Sequence, residues 1–90
     1  MLEKQSKNDL KNYLKTWQDD INRIKHPVLK QEAFFSFNKK FKRDFNPEVI
    51  ERGKINGYKV RYVRVETNDG PQVVYLDKNF KEGVKFYITP

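Results

Sequence analysis

The 90-residue chain has no cysteine and a single histidine. Without thiols there is no disulfide framework, no thiolate metal site and no cysteine nucleophile, so packing has to hold the fold, which suits a reducing compartment. Long apolar runs are missing too. Nothing approaches the roughly 18 apolar residues that a membrane-spanning helix needs. The start, MLEKQSKNDLK, lacks the apolar centre of a signal peptide. A cytoplasmic location with no membrane partner is the expectation. There is no glycine-rich phosphate loop, and Ser6 and Ser36 have no base or nucleophile elbow around them. Asp19 and Asp20 are neighbours on a helical stretch, where adjacent side chains diverge rather than share a proton. His26 precedes Pro27 and is expected to cap the negative end of a first helix rather than bind a metal. No acid, base and nucleophile come together, which points to a non-enzymatic protein with no catalytic residues, cofactor or metal.

What the chain has in abundance is positive charge. Nineteen Lys and Arg face twelve Asp and Glu, for a net +7, enough to favour polyanions or acidic protein surfaces at long range. The excess is spread. Six cations face four anions in 1–25, seven face four in 26–57, and six face four in 58–90, so no basic tail stands apart. A chain this short has too little apolar surface for two cores, and 1–90 reads as one small basic domain.

Ser6 and Asp9 form an S-x-x-D helix start. Leu10, Leu14, Trp17, Ile21 and Ile24 then recur at helical spacing along one face, and Trp17 is expected in the core. The residue before a proline is pushed from helical angles, so this helix should stop near Lys25. Pro27 suits the first position of a second helix. That helix should carry an apolar stripe of Leu29, Ala33, Phe34, Phe37, Phe41 and Phe45 before Asn46-Pro47 ends it. A short helical turn is expected over Glu48 to Arg52. Three strands follow at 58–66, 72–76 and 84–89, all rich in β-branched and aromatic residues. Asn68-Asp69-Gly70 should form an exposed turn, and KNFKEG the second link. In the first strand Tyr58, Val60 and Tyr62 share one face and Val63 and Val65 the other, so a bulge near Tyr62 or burial of both faces is expected. The fold class is α+β: two helices, then a three-stranded antiparallel meander with the helices on one face.

Two constellations qualify as binding sites. On the second helix Phe35 projects away from the apolar stripe and shares its face with Asn38, Lys39 and Lys42, with Arg43 close by. An aromatic ring among cations can stack a base while the cations hold phosphates, or it can anchor a protein interface. On the first strand Lys59 and Arg61 project from one face and Arg64 from the other. Each set also reads as an ordinary solvated face.

The run Gly57-Tyr58-Lys59-Val60-Arg61-Tyr62-Val63-Arg64, the turn with Gly70, Gln72-Val73-Val74-Tyr75 and the Val84 to Ile88 strand resemble the sheet of RelE-type toxins. These are ribosome-dependent messenger-RNA endonucleases of toxin–antitoxin pairs, with two helices ahead of the sheet. The resemblance implies that Lys59 and Arg61 stand where the family places basic residues on the 2′-hydroxyl and the cleaving phosphate. MLEKQSK offers no counterpart to the family's first strand, Gln72 replaces an expected arginine, and the basic and tyrosine residues that the family carries beyond the last strand are missing.

The leading expectation is a small basic regulator or accessory factor that binds nucleic acid or the machinery handling it, through Phe35, Lys39, Lys42, Arg43, Lys59, Arg61 and Arg64. One alternative is a phage- or plasmid-encoded inhibitor that docks on a host protein such as a defence nuclease, which the richness in Lys, Asn, Phe and Tyr suits. Another is a RelE-like endonuclease. The partner would be nucleic acid or an acidic, nucleic-acid-handling protein.

Overall fold

In a computed structural model the described residues are 4–90; residues 1–3 of the polar N-terminal segment lie outside them. Helix α1 spans Lys7–Arg23. Ser6 Oγ accepts from the Asp9 N–H at 3.0 Å, and the Asp9 carboxylate accepts from the Ser6 N–H at 3.3 Å. Helix α2 spans Pro27–Phe45 and closes on Asn46 in the left-handed region, φ 48°. The role expected of His26 is corrected. Ile24 caps α1, and His26 is the extended residue ahead of α2, with no side-chain capping bond.

The sheet has four antiparallel strands in sequence order: β1 (Glu48–Ile55), β2 (Tyr58–Thr67), β3 (Gly70–Asp77) and β4 (Lys85–Ile88). The α+β architecture stands, but the meander gains a strand where a helical turn was expected over 48–52. The cause lies at Asn56 and Gly57, both with positive φ, 53° and 82°. Such a two-residue turn carries the twist that matches its flanking strands. It folds β1 back onto β2, and pairing overrides weak local preference.

The β2–β3 register is unbroken, and the irregularity lies between Val49 and Glu51 of β1, opposite Val63 and Tyr62. The change of pattern along β2 therefore comes from cover on both faces. Val63 and Val65 face the helices, whereas Val60 and Tyr62 face outward, where Tyr62, Tyr75 and Tyr87 form a row with ring centroids 5.3 and 4.9 Å apart.

The core joins Leu10, Leu14 and Ile21 of α1, Phe34, Phe37 and Phe41 of α2, and Val63, Val65, Val74, Leu76, Val84 and Phe86 from the sheet side. Phe37 stacks on Phe86 at 4.5 Å and on Phe41 at 5.3 Å. Trp17 is half-buried at the margin, with Lys40 Nζ 5.4 Å from its ring centroid. Leu29, expected in the stripe, is exposed, and Lys30 is buried instead. Lys30 lies one turn before Phe34 and so lines up with the core face, over which its carbon stem can lie.

The turn at 68–69 is exposed, and it also ties down the chain ahead of α1. The Asn68 N–H donates to Gln5 O at 2.9 Å, and the Lys7 N–H to Asp69 Oδ2 at 2.8 Å. Helix α1 closes the β4 edge. Asn22 Oδ1 accepts from the Val84 N–H at 2.8 Å, Asn22 Nδ2 donates to Val84 O at 3.0 Å, and Gln18 Oε1 accepts from the Phe86 N–H at 2.8 Å. No residue of β1 enters the core, and all eight are exposed.

Candidate functional site

Because the β1–β2 turn has two residues, positions equidistant from it face each other. Arg52 lies opposite Arg61 and Lys54 opposite Lys59, with Gly53 and Val60 paired between them. Like charges directly opposed across strands oppose folding. These six residues and Lys78 line a cleft of about 340 Å³. Lys78 is fixed there by its backbone, whose N–H donates to Lys59 O at 3.0 Å. Its ammonium sits 4.9 Å from the Phe34 ring centroid.

The electrostatics of the cleft are unbalanced. Burial, then the charges of Arg61, Lys59, Arg52 and Lys42, push the Lys78 pKa down. Burial, then Arg52, does the same to Arg61. The Arg61 guanidinium donates through Nη2 to Asn38 Oδ1 of α2, a neutral acceptor, and its Nε is buried with no partner among the described residues. Among the described residues the ion pairs are Arg23–Asp20, Arg43–Asp44, Arg64–Glu48 and Arg64–Glu66. None includes Lys42, Arg52, Lys54, Lys59, Arg61 or Lys78.

The structure places the seven residues singled out from sequence in different settings. Lys59 and Arg61 line the cleft, and Lys42 is near enough for its charge to act on Lys78. Phe35 is 52% exposed and lies three residues before Asn38 and seven before Lys42, on one helical row. Lys39 is exposed on the side of α2 away from the core. Arg43 is paired with Asp44 at 2.9 Å; that contact is the leading cause that raises the arginine pKa and lowers that of the carboxyl group. Arg64 points to the opposite sheet face, where Glu48 Oε2 is 2.6 Å away.

Sequence reasoning missed Arg52, Lys54 and Lys78. The available signal was Asn56-Gly57 between the alternating runs 52–55 and 58–61, a hairpin signature that puts the four cations face to face. A second groove, about 670 Å³ between α1 and β4, carries Lys7, Lys11, Lys15 and Lys85 around Leu14, Phe86 and Ile88. Its lysines are all exposed, and no two of them are opposed on paired strands. No group of three or more His, Cys, Asp or Glu residues placed to hold a metal occurs among the described residues, and no described helix is long and apolar enough to cross a membrane. No protein-family model matches the chain, and no curated protein or solved structure shows significant similarity to it.

Proposed function

We propose that this domain is a non-enzymatic regulator or accessory factor that binds single-stranded nucleic acid through the cationic cleft. The carrying observation is the pair of like-charge pairs, Arg52 with Arg61 and Lys54 with Lys59. The same hairpin sets Glu48 opposite Arg64 on its other face, so opposite charges are available to it where only folding matters. Phosphates supply the missing counter-charge. Exposed Phe35, on the row shared with Asn38 and Lys42, adds a ring on which a base can stack; cations beside an aromatic platform are the usual means of holding a single strand. The residues lining the cleft include no carboxylate and no histidine, which favours binding without cleavage even though Lys59 and Arg61 are the positions named by the RelE resemblance.

The test is fluorescence anisotropy of short oligothymidylate and oligouridylate between about 50 and about 200 mM salt. Replacing Lys54 and Lys59 together by Gln should reduce the slope of log affinity against log salt by up to about 1.4, since each single-strand phosphate contact contributes about 0.7. Lys11→Gln with Lys15→Gln, in the second groove, should leave it unchanged. Phe35→Ala should weaken binding by about 1–3 kcal/mol at constant slope. Equal effects from the two lysine pairs would show diffuse attraction with no site. Absence of oligonucleotide binding, with a nuclease-resistant protein complex lost on Lys54→Gln, would favour the inhibitor reading.

A further inference from the structure

A backbone-binding track spreads its cations along a path, because a strand carries one charge per nucleotide at steps of about 3.4 Å. Here five cations from β1, β2 and the segment after β3 line one cleft of about 340 Å³, with Lys42 of α2 near enough for its charge to act on Lys78, a volume at the lower end of small-ligand sites. The two least exposed, Arg61 and Lys78, are each held down in pKa by burial and then by neighbouring cations, and neither has a carboxylate partner among the described residues. That concentration exceeds what one phosphodiester, with a single charge, calls for.

We propose that the cleft seats a terminal phosphomonoester, so that the domain recognises phosphorylated strand ends in preference to internal stretches; this rests on the nucleic-acid reading above. A monoester carries about −1.5 to −2 charges near neutral pH and presents three strong acceptor oxygens. Arg61 supplies Nη1 and the second proton of Nη2 to two oxygens, its Nε being buried, and its orientation is set by the bond to Asn38. Lys78 adds a point charge, held in place by the backbone bond to Lys59. Arg52, Lys54 and Lys59 close the rim, and Lys42 contributes from α2.

The experiment compares one short oligothymidylate with a 5′-phosphate, with a 3′-phosphate, and with hydroxyls at both ends, at about 150 mM salt. One phosphorylated end should bind at least about tenfold tighter than the hydroxyl-ended strand, from the added charge-assisted bonds. That advantage should fade between about pH 7.5 and pH 5, because the monoester takes up its second proton near pH 6. The cleft lining holds no histidine or carboxylate to imitate the effect. Arg61→Lys keeps the charge and removes the fork; it should weaken binding of the phosphorylated strand more than that of the hydroxyl-ended strand and so abolish most of the end preference. Lys59→Gln, at an exposed rim position, should reduce the preference in a variant whose thermal melt is no lower than the parent's, since the repulsion with Lys54 is relieved. Equal, salt-steep binding of all three strands would overturn the end-recognition inference and leave the nucleic-acid reading in place. Failure of all three to bind would overturn both.

Discussion

In β4 and just ahead of it the backbone donors of Phe86 and Val84 are taken by Gln18 and Asn22 of α1, while along β1 all eight residues are exposed, Val49, Ile50 and Ile55 among them. One edge of the sheet closes the core and the other projects beyond it. An open edge invites unwanted pairing, which natural strands discourage with charges and bulges. Strand β1 has both, in Glu48, Glu51, Arg52 and Lys54 and in the irregularity beside Ile50. Since it contributes nothing to the core, its like-charge pairs can oppose folding slightly without disturbing that core, and under the proposed function they would serve binding. Core packing is thus concentrated at one edge of the small sheet, and the proposed recognition lies at the other.

Truncation should show the largest contrast. Phe86→Ala in β4 removes the ring stacked on Phe37 and should cost about 3–5 kcal/mol in chemical denaturation, enough to threaten a small domain. Ile55→Ser in β1 should stay within about 0.5 kcal/mol of the parent. A comparable loss at both positions would refute the division. Asn22→Ala leaves the Val84 N–H and C=O without their partner and should cost about 1–3 kcal/mol by the same measurement.

A smaller effect of opposite sign is expected on the open side. Lys54→Glu turns a repulsive pair with Lys59 into an attractive one and should raise stability by about 0.2–1 kcal/mol while oligonucleotide affinity falls. A variant that is both less stable and unimpaired in binding would contradict the electrostatic account.

The two sides should also respond to alkali with opposite slopes. Tyr13 packs against Phe45 at 4.8 Å and donates to Asp44 at 3.3 Å. Burial, then the Asp44 charge, pushes its pKa from the ordinary 10 up to about 12. The stabilisation tied to its neutral form is present below pH 10 and is lost as pH rises through about 12, so Tyr13→Phe should flatten that decline in thermal melts. Lys78, with its pKa lowered, binds a proton less readily folded than unfolded, so its contribution grows as pH rises toward the ordinary lysine range. Lys78→Met should remove that gain.

Much of the closed side was legible residue by residue. The Ser6–Asp9 start, the span of α2 and the buried phenylalanines follow from capping chemistry and a 3.6-residue period, both local properties. The open side was less legible because β1 carries no apolar alternation, only the Asn56-Gly57 turn. The two cation sets were legible in the sequence separately, Phe35 and Lys42 on α2, Lys59 and Arg61 on β2. Arg43 and Arg64 could not be distinguished from them, since their ion partners Asp44 and Glu48 are identified only once the chain is folded.

By itself the sequence determined the helices, the later strands and an excess of positive charge, because each depends on residues near one another along the chain. Tertiary structure decided that Lys78 joins Arg52, Lys54, Lys59 and Arg61 at one cleft and that no carboxylate among the described residues pairs with them. Strand register and helix packing set distances between residues remote in sequence, and Coulomb forces depend on those distances.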